Sequence, residues 1–592
     1  MKVCTLTCFN FVWAAVVIVG LMQTDTALAD SFNTMLGVGA LSSITSGVAN
    51  TALGFDALHA NATASDNTAI GADALFSNTT GSGNTATGEA DLSFNTSGSH
   101  NTATGWEALS SNTTGSGNTA TGANALCHNG TGLDNTATGE DALLNNTNGS
   151  GNTATGFGAL GSNTAGNENT ANGFNALAAN STGDDSTAVG DNALAGNTTG
   201  PDNTAVGAGA LALNKTGGEN SAFGVSALQF NTGSDNTAAG AAALQHNTGG
   251  IGNAAFGFNA LSGNTTGSQN TASGEKALLS NTTGSNNTAI GVNALAANTT
   301  ASSNTATGAK ALAANTTGVS NTATGVLALS VNTTGASNTA IGTQALRKST
   351  TGARNTAIGT GALVGNTIGT NNIGVGNGAG QNLTTGNNNI EVGNPGLTTD
   401  LNKIRIGIQG VQNGTFIAGI RGVPVVGGAP VEVTSAGQLG IVMSSARYKH
   451  DIRDLGDGSG NLLKLRPVSF RYNNDPANTV QYGLVAEEVA KLYPELVAYG
   501  ADGKPMTVRY SMLSAMLLNE LQKQSRENAR QAEQIRRLST QVGETNISTD
   551  RRIAALETRH QQELRALQVA FEQRLSKVER ATRSYAPVRV KF

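Results

Sequence analysis

Apolar and polar residues alternate with a 17-residue period over most of the chain. Asn, replaced once by Ser186, begins each unit from position 33 to position 389, and one unit, starting at Asn220, has 16 residues. The consensus reads N-T-A-x-G-x-x-A-L-x-x-N-T-T-G-S-x. Leu occupies the ninth position of the first twenty units, from Leu41 to Leu363, and Gly occupies the fifth position throughout. Strict phasing at a short, fixed period is typical of a stacked repeat protein.

A single unit is too short to bury a core of its own. Stacked units would place each Leu on the Leu of the next unit and form a thin, continuous core of Leu and Ala. The T-A-x-G stretch predicts one short strand, its Gly a corner with positive φ, and N-T-T-G-S a turn. The A-L-x-x-N stretch predicts one helical turn that ends at Asn in the left-handed conformation. Asn side chains at fixed positions predict ladders between coils.

These features predict a mainly β protein with a long β-solenoid shaft over residues 33–400. The alternative is a disordered low-complexity segment, which the richness in Gly, Asn and Thr favours and the strict Leu phasing opposes. Rows of T-A-T within residues 84–155 also suit an ice-binding face. Units in the middle of the repeat break that pattern, and the preference of Thr for strands explains the rows as well.

The 17-residue period stops near residue 401. Residues 401–443 alternate apolar residues with glycine turns and predict a β neck. Residues 444–525 predict a small mixed α/β domain, in which one helix stops near Pro494. Residues 526–592 have apolar residues at 3/4 spacing and predict a coiled coil and tail. A lone helix of this kind is not stable, so the pattern favours self-association, and the alternative is a solvated single helix or a helical hairpin that packs on its own domain.

Composition and charge agree with an extended molecule in two parts. The 592 residues include 77 Gly and only 4% aromatic residues, fewer aromatics than a single globule of this length would hold. Residues 33–400 contain 6 Lys or Arg against 19 Asp or Glu, whereas residues 401–592 contain 27 against 18. The basic half has interspersed Glu, so nucleic acid is not an expected partner. The few His residues of the repeat lie at unrelated positions, so we expect neither a metal site nor a cofactor.

The beginning of the chain predicts a secretory signal peptide over residues 1–29. Lys2 precedes an apolar run, and Ala27-Leu28-Ala29 fits a cleavage site after Ala29. The run is shorter than the roughly 20 apolar residues that span a bilayer. We therefore expect a secreted or cell-surface protein, and an uncleaved N-terminal membrane anchor is the alternative. Cleavage would leave Cys127 as the single cysteine, so no intrachain disulfide is expected.

Several motifs after the repeat resemble a known domain family. They are AGQLG (436–440), SSARYKHDI (444–452), LRPVSFRY (465–472), GLVAEEV (483–489), Pro494 and VRY (508–510). Through these motifs, residues from about 413 to 525 resemble the C-terminal intramolecular chaperone domain, peptidase family S74, of phage tail spikes and fibres. Together the motifs are specific, although each alone is weak. The repeat units are similar in style to the NTAIG-type repeats of bacterial surface fibres and of trimeric autotransporter adhesin heads, whose units are shorter.

The resemblance implies a domain that trimerises, helps the upstream fibre to fold in register and then cuts itself off. The family cuts just before the serine of an S-D-x-R-x-K motif, whose serine and lysine form the catalytic dyad. Carried over to this chain, the dyad is Ser444 and Lys449, and the scissile bond is Met443–Ser444. The chemistry is sound, because a buried neutral lysine can activate a serine hydroxyl. The implied enzyme is a self-cleaving serine peptidase that acts once, in cis.

Ser445 departs from the family pattern, which has Asp at this position. If that Asp positions the dyad, cleavage is slow or absent and Ser445 becomes a rival nucleophile. A domain that chaperones and never cuts is therefore the alternative to the self-cleaving peptidase. Arg447 lies on the same segment. It could support an oxyanion or a contact between subunits, and the alternative is an ordinary exposed arginine.

The two halves together predict a secreted or surface homotrimeric fibre, adhesin-like, that its own C-terminal chaperone matures. Near-identical units can pair 17 residues out of register at little cost, and a trimeriser at one end would prevent this. The expected partners are copies of the same chain and a cell-surface glycan or other surface receptor. The alternatives are a phage-type receptor-binding tail fibre, a transported autotransporter adhesin, and an ice- or glycan-binding solenoid with a non-cleaving trimerisation domain.

Overall fold

The computed structural model describes residues 32–418, 420, 427–434, 436–500, 502–543 and 547–583. The chain forms two compact units, Met1–Ile408 and Gln409–Phe592. The predicted signal peptide lies outside the described residues. Within those residues, no helix combines the length and the apolar character needed to cross a membrane.

The first unit is a parallel β-solenoid, as predicted, with one short strand in each coil. Its 23 strands form one sheet, in which each strand pairs with that of the next coil in register, so that Thr51 lies opposite Thr68. Strands β1–β23 are Thr34–Leu36, Thr51–Leu53, Thr68–Ile70, Thr85–Glu89, Thr102–Trp106, Thr119–Thr121, Thr136–Thr138, Thr153–Thr155, Thr170–Asn172, Thr187–Val189, Thr204–Val206, Ser221–Phe223, Thr237–Ala239, Ala254–Phe256, Thr271–Ser273, Thr288–Ile290, Thr305–Thr307, Thr322–Thr324, Thr339–Ile341, Thr356–Ile358, Ile373–Val375, Ile390–Val392 and Ile404–Ile406.

The core of the solenoid is the predicted thin column of Leu and Ala. In a strand, successive side chains point to opposite faces, so the middle residue points inward. Ala120 is fully buried, whereas Thr119 and Thr121 on either side of it are exposed. Ala125 and Leu126 of this coil belong to the same buried core, and the equivalent residues of the neighbouring coils pack on them. The Leu phasing of the sequence therefore reflects a continuous buried stack.

The invariant glycine at the fifth position has a steric cause. Gly54 has a φ of +152°, in the region that favours glycine. A Cβ at this position would lie 2.1 Å from the carbonyl oxygen of Gly71 in the next coil. Both the backbone conformation and the close approach of the coils therefore exclude any other residue, which confirms the predicted corner.

The stretch after the glycine is not the predicted helical turn with a left-handed Asn. The left-handed residue is the buried Leu, as in Leu126 with a φ of +52°. Its amide donates to the carbonyl oxygen of Ala142 in the next coil at 2.9 Å. The backbone therefore bonds between coils, and the left-handed conformation turns the Leu side chain into the core, where burial offsets its strain.

Two ladders of buried Asn side chains run along the solenoid, as predicted. In the first ladder, Asn118 Nδ2 donates to Asn101 Oδ1 at 3.1 Å and to the Gly132 carbonyl at 2.9 Å. In the second, Asn129 Nδ2 donates to Asn112 Oδ1 at 2.7 Å and to the same carbonyl at 3.1 Å. These bonds lie away from water, where a hydrogen bond is stronger and an unpaired polar group is costly.

Ser349 interrupts the second ladder and leaves buried polar groups unpaired. Its hydroxyl and Asn332 Oδ1 have no hydrogen-bond partner. In Ser349→Asn, the new amide should accept from Asn366 and donate to Asn332, as in regular coils. Two restored hydrogen bonds should raise the free energy of unfolding by about 1–3 kcal/mol, measured by denaturant unfolding. Thr351→Asn, at an exposed position of the same coil, is the control and should leave the free energy of unfolding unchanged. Equal stability of the two variants would refute the ladder's contribution.

The apolar core gives way to charged residues in the last coils. Glu391 takes the middle position of β22 and pairs in register with Arg405 of β23. Glu391 is fully buried, and neither carboxylate oxygen has a hydrogen-bond partner. Arg405 instead forms two hydrogen bonds of 2.7 Å with Asp400. Burial raises the pKa of Glu391 to about 7, the charge of Asp400 adds to this effect, and Arg405 opposes it.

The last coils should therefore be more stable at pH 5 than at pH 8. A pKa raised from 4.5 means that the fold favours the protonated Glu391. The stabilising contribution is present below pH 4.5 and is lost as the pH rises through 7, by up to about 3 kcal/mol. Hydrogen exchange over residues 380–408, corrected for intrinsic rates, should accelerate between pH 5 and 7. In Glu391→Gln this acceleration should disappear, and its persistence would assign the effect to another group.

The second unit is the predicted small mixed α/β region. In the described part of this unit, helices and 3₁₀ turns lie between and after three antiparallel strand pairs, and the core contains Leu462, Leu496 and Val508. The strand pairs are β24 (Glu432–Val433) with β25 (Leu439–Gly440), β26 (Val468–Phe470) with β27 (Gln481–Gly483), and β28 (Val497–Tyr499) with β29 (Pro505–Val508). The helices are α1 (Ala486–Leu492), α2 (Tyr510–Gly543) and α3 (Ile547–Arg583), and 3₁₀ turns span Ala446–Tyr448, Gly456–Ser459, Leu462–Lys464 and Pro494–Leu496. Helix α1 stops just before Pro494, as predicted.

Helices α2 and α3 pack against each other within one chain. Ile535 and Leu538 of α2 line a groove with Ile553 and Leu556 of α3. Near the other end of α3, Val578 packs against the core to which the start of α2 belongs. The two helices therefore run in opposite directions, so the hairpin alternative describes the single chain, and a coiled coil between chains stays a prediction.

Candidate cleavage site

The predicted site segment, residues 444–452, contains one 3₁₀ turn. Ser445 precedes the turn in an extended conformation, the turn spans Ala446–Tyr448, and Lys449 is extended again. The amides of Tyr448 and Lys449 donate to the carbonyl oxygens of Ser445 and Ala446, each at 3.0 Å. The turn thus separates Ser444, on one side, from Lys449, directly after it.

Both predicted dyad residues are exposed in the single chain. None of the residues 441–458 is buried, and Met443 on the other side of the predicted scissile bond is 53% exposed. Among the described residues, the side chains of Ser444 and Lys449 form no hydrogen bond with each other or with a third group. In the single chain, the side chains of Ser444 and Lys449 are therefore exposed and not hydrogen-bonded to each other. Their catalytic roles stay a prediction.

The charged neighbours of the dyad make local contacts. The Arg447 guanidinium lies 5.0 Å from the centre of the Tyr448 ring, a cation–π distance. His450 Nδ1 and Asp451 Oδ2 are 3.0 Å apart, and both side chains are largely exposed. Both contacts join neighbouring residues at the surface, and neither involves Ser444 or Lys449.

Residues of the other motifs contact one another and pack into one structure. Arg466 of LRPVSFRY forms a two-pronged ion pair with Glu488 of GLVAEEV. The Tyr510 hydroxyl of VRY accepts a hydrogen bond from the Leu484 amide at 2.8 Å. A Cβ at Gly483 would lie 2.6 Å from that hydroxyl oxygen, which explains the glycine. The pKa of Tyr510 is raised, chiefly because the hydroxyl is buried. Three motifs far apart in sequence are thus one packed structure.

A polar cluster outside the motifs attaches the loop after the site to α2. The buried Ser459 donates to Glu520 at 2.6 Å, and Lys523 lies 3.0 Å from the same carboxylate. Asn519 donates to the Gly456 carbonyl at 2.9 Å. The hydrogen bond from Ser459 is the main cause of a lowered pKa of Glu520. About 60 residues separate the two segments, so residue spacing gave no indication of the cluster.

Large apolar side chains near the site in sequence are exposed in the single chain. They occur before the predicted scissile bond, within the site segment and on the strands that follow. Their exposed fractions lie between 43% and 71% for Leu439, Ile441, Val442, Met443, Tyr448, Ile452, Leu455, Leu463, Tyr472, Val480 and Tyr482. Apolar surface of this extent marks an interaction site on a soluble protein. The single chain therefore leaves large apolar side chains exposed in the segments before and after Ser444.

Comparison with known proteins identifies the domain that carries the site. Residues 444–498 match the family model Peptidase_S74, described as chaperone of endosialidase, a family of autocleaving intramolecular chaperone domains. The match begins at Ser444 and confirms the family resemblance for this part of the chain. It covers 55 of the 592 residues. No curated protein and no solved structure gives a significant match to the chain.

Proposed function

We propose that this chain is a secreted or surface-displayed homotrimeric fibre whose S74-type domain assembles three solenoid shafts and then cuts itself off. A chaperone-type domain that follows a long parallel solenoid fits a fibre of the phage-tail type. The uncovered apolar surface around residues 439–482 carries the proposal, because further copies of the domain would cover it. Secretion rests on the signal-peptide pattern of residues 1–29, and the receptor we propose for the fibre is a cell-surface glycan.

The repeat explains why such a shaft needs a chaperone. Each coil has nearly the same strand, Leu stack and Asn ladders, so a slip by one coil restores almost every contact. Assembly from the shaft alone would therefore trap chains in wrong registers. A trimeric domain at one end aligns the last coils first, and the remaining coils then associate in order.

The proposed cleavage moves the Met443 acyl group from nitrogen to oxygen. Ser444 Oγ attacks the Met443 carbonyl carbon while Lys449 takes the hydroxyl proton. The C–O bond forms, the C–N bond breaks, and the lysine returns the proton to the leaving amine. Water then hydrolyses the ester, which leaves the Met443 carboxylate and a new N-terminus at Ser444.

Trimer assembly would switch this reaction on. A lysine accepts a proton only as the neutral amine, a form that burial favours. Lys449 is exposed in one chain, so the covering surface has to come from neighbouring copies. Cutting would then follow correct assembly and would not precede it.

Deletion of residues 444–592 tests the chaperone function. We expect the deleted chain to accumulate as monomers and irregular aggregates in sedimentation velocity, because nothing aligns its coils. Ser444→Ala is the matched control, since it keeps the domain and removes only the proposed nucleophile, and it should give uniform trimers. Uniform trimers from the deleted chain would show that the shaft needs no chaperone.

A further inference from the structure

The outer sheet face of the solenoid carries no charge. This face consists of the first and third residues of strands β1–β23, which flank the inward middle residue. None of these residues is Asp, Glu, Lys or Arg. Yet residues 33–400 contain 25 such residues, which stand at other places. Lys276 and Asp202 lie outside the strands, and Glu89 is the fifth residue of β4, after the corner glycine Gly88. A sheet that faces water ordinarily carries charged side chains, which also protect it from association.

The third strand residue adds an exposed apolar column to this face. Because the strands pair in register, the third residues of successive coils lie side by side. Twelve of the 23 are large apolar residues that are between 36% and 74% exposed: Leu36, Ile70, Val189, Val206, Phe223, Phe256, Ile290, Ile341, Ile358, Val375, Val392 and Ile406. Ten of the twelve lie on strands β10–β23, where they form a longer apolar surface than the isolated patches of soluble monomers, whereas β4–β9 carry Thr or Asn at this position.

The threonine hydroxyls on the face form no hydrogen bonds with the described residues. Thr104 and Thr121, on neighbouring strands, are exposed and form no side-chain hydrogen bond with the described residues. Threonines of the turns behave differently, since Thr113 Oγ1 donates to the Gly130 carbonyl of the next coil at 2.8 Å. The face is therefore uncharged and keeps its polar groups available for a partner.

We propose that the outer sheet face packs against the equivalent faces of other copies of this chain, along the length of the shaft. This inference deepens the proposed function, because it rests on the homotrimer and identifies the shaft surface that is buried. A partner for 23 rows has to repeat at the strand spacing of about 4.8 Å. A parallel copy has this spacing at every row, whereas a globular partner would cover a few rows only. Uncharged, apolar surfaces are typical of obligate contacts between identical subunits.

The symmetry of a trimer makes the inference testable by cross-linking. Copies related by an axis parallel to the shaft place equivalent residues at the same height. Equivalent residues on a face turned toward the axis come close to each other, whereas those on other sides stay apart. Val206 lies on the outer sheet face, and Val331 lies outside it, between the buried Leu329 and Asn332. Their exposed fractions, 36% and 41%, make them a matched pair.

The experiment compares Val206→Cys with Val331→Cys in the full chain. Cys4, Cys8 and Cys127 are replaced by Ser in both, and the buried Cys127→Ser should be tolerated because Ser110 holds the same position one coil earlier. After mild oxidation, Val206→Cys should give covalent dimers on a denaturing gel, and Val331→Cys should stay monomeric. Before oxidation, a maleimide should label Val206→Cys at least tenfold more slowly than Val331→Cys.

Each result separates the inference from the proposed function. A trimer that labels both cysteines equally fast and forms no Val206→Cys dimer would leave the fibre proposal standing and refute the buried face. A chain that is monomeric throughout would refute both proposals.

A charge on the face gives a second, independent readout. Phe223→Lys should lower the melting temperature of the trimer by several degrees or dissociate the shafts, because the ammonium group would be buried between copies. Ser226→Lys, in the same coil but off the face, should melt like the unmodified chain, since Lys276 holds that position in another coil. Equal melting of the two variants would contradict the inference.

Discussion

Ser444→Ala should leave the chain in one piece. The unmodified protein should give two bands on a denaturing gel, a shaft and a fragment of residues 444–592, which is 149 of 592 residues. Without the Ser444 hydroxyl, no acyl transfer from Met443 is possible, so the loss of cleavage should be complete. N-terminal sequencing of the smaller band, expected to begin Ser444-Ser445-Ala446, checks the position of the cut.

Variants at the neighbouring positions separate the roles of the site residues. Ser445→Ala should still be cut, because its carbonyl, and not its side chain, forms the 3₁₀ turn. Lys449→Arg keeps the positive charge but has no neutral form at ordinary pH, so it should trimerise and not be cut. A fragment that begins at Ser445, or one that persists in Ser444→Ala, would assign the nucleophile to another residue.

Leu228→Asp should break the shaft in its middle. Leu228 is fully buried in the Leu stack, and truncation of a buried Leu alone costs about 2–5 kcal/mol. A buried carboxylate without a partner adds to this cost. Because each coil contacts only its neighbours, the damage should stay local and divide the solenoid into two folded blocks. Limited proteolysis should therefore cut near residue 228 and release fragments of defined size.

The solenoid already contains one buried carboxylate with which Leu228→Asp can be compared. Asp91 replaces a buried Ala, and its carboxylate accepts hydrogen bonds from the amides of Gly105 at 3.0 Å and Ala108 at 2.8 Å. Even so, burial raises its pKa to about 6. Leu213→Asp, at a position that is 50% exposed, is the control and should resist the protease. Equal resistance of Leu228→Asp would mean that the Leu stack does not hold the coils together.

The solenoid could be predicted because its contacts repeat with the sequence. Gly54 and the Asn ladders recur at a fixed distance from their partners, so periodicity alone indicates the strand, the corner and the stack. The conformation of Leu126 could not be predicted in this way. Local propensity favours Asn as the left-handed residue, but stacking in the core requires the Leu side chain to point inward.

The candidate site could be predicted only as far as its motif extends. SSARYKHDI indicated Ser444 and Lys449, and the family match begins at the first of them. The Ser459–Glu520 hydrogen bond joins segments 61 residues apart, which no local pattern encodes. The 3/4 spacing of α2 and α3 suits a hairpin and a coiled coil equally, so it could not identify the partner helix. Lys449 is exposed in the single chain, so its surroundings in the proposed trimer could not be predicted from the sequence.

Native mass spectrometry of the purified protein tests the central claim most directly, because it reports stoichiometry and cleavage together. We expect three identical shafts, each ending at Met443, in one complex, with the fragment of residues 444–592 recovered as a separate species. A complex of three uncut chains would support the chaperone and contradict the self-cleavage. Uncut monomers at all concentrations would contradict the account as a whole.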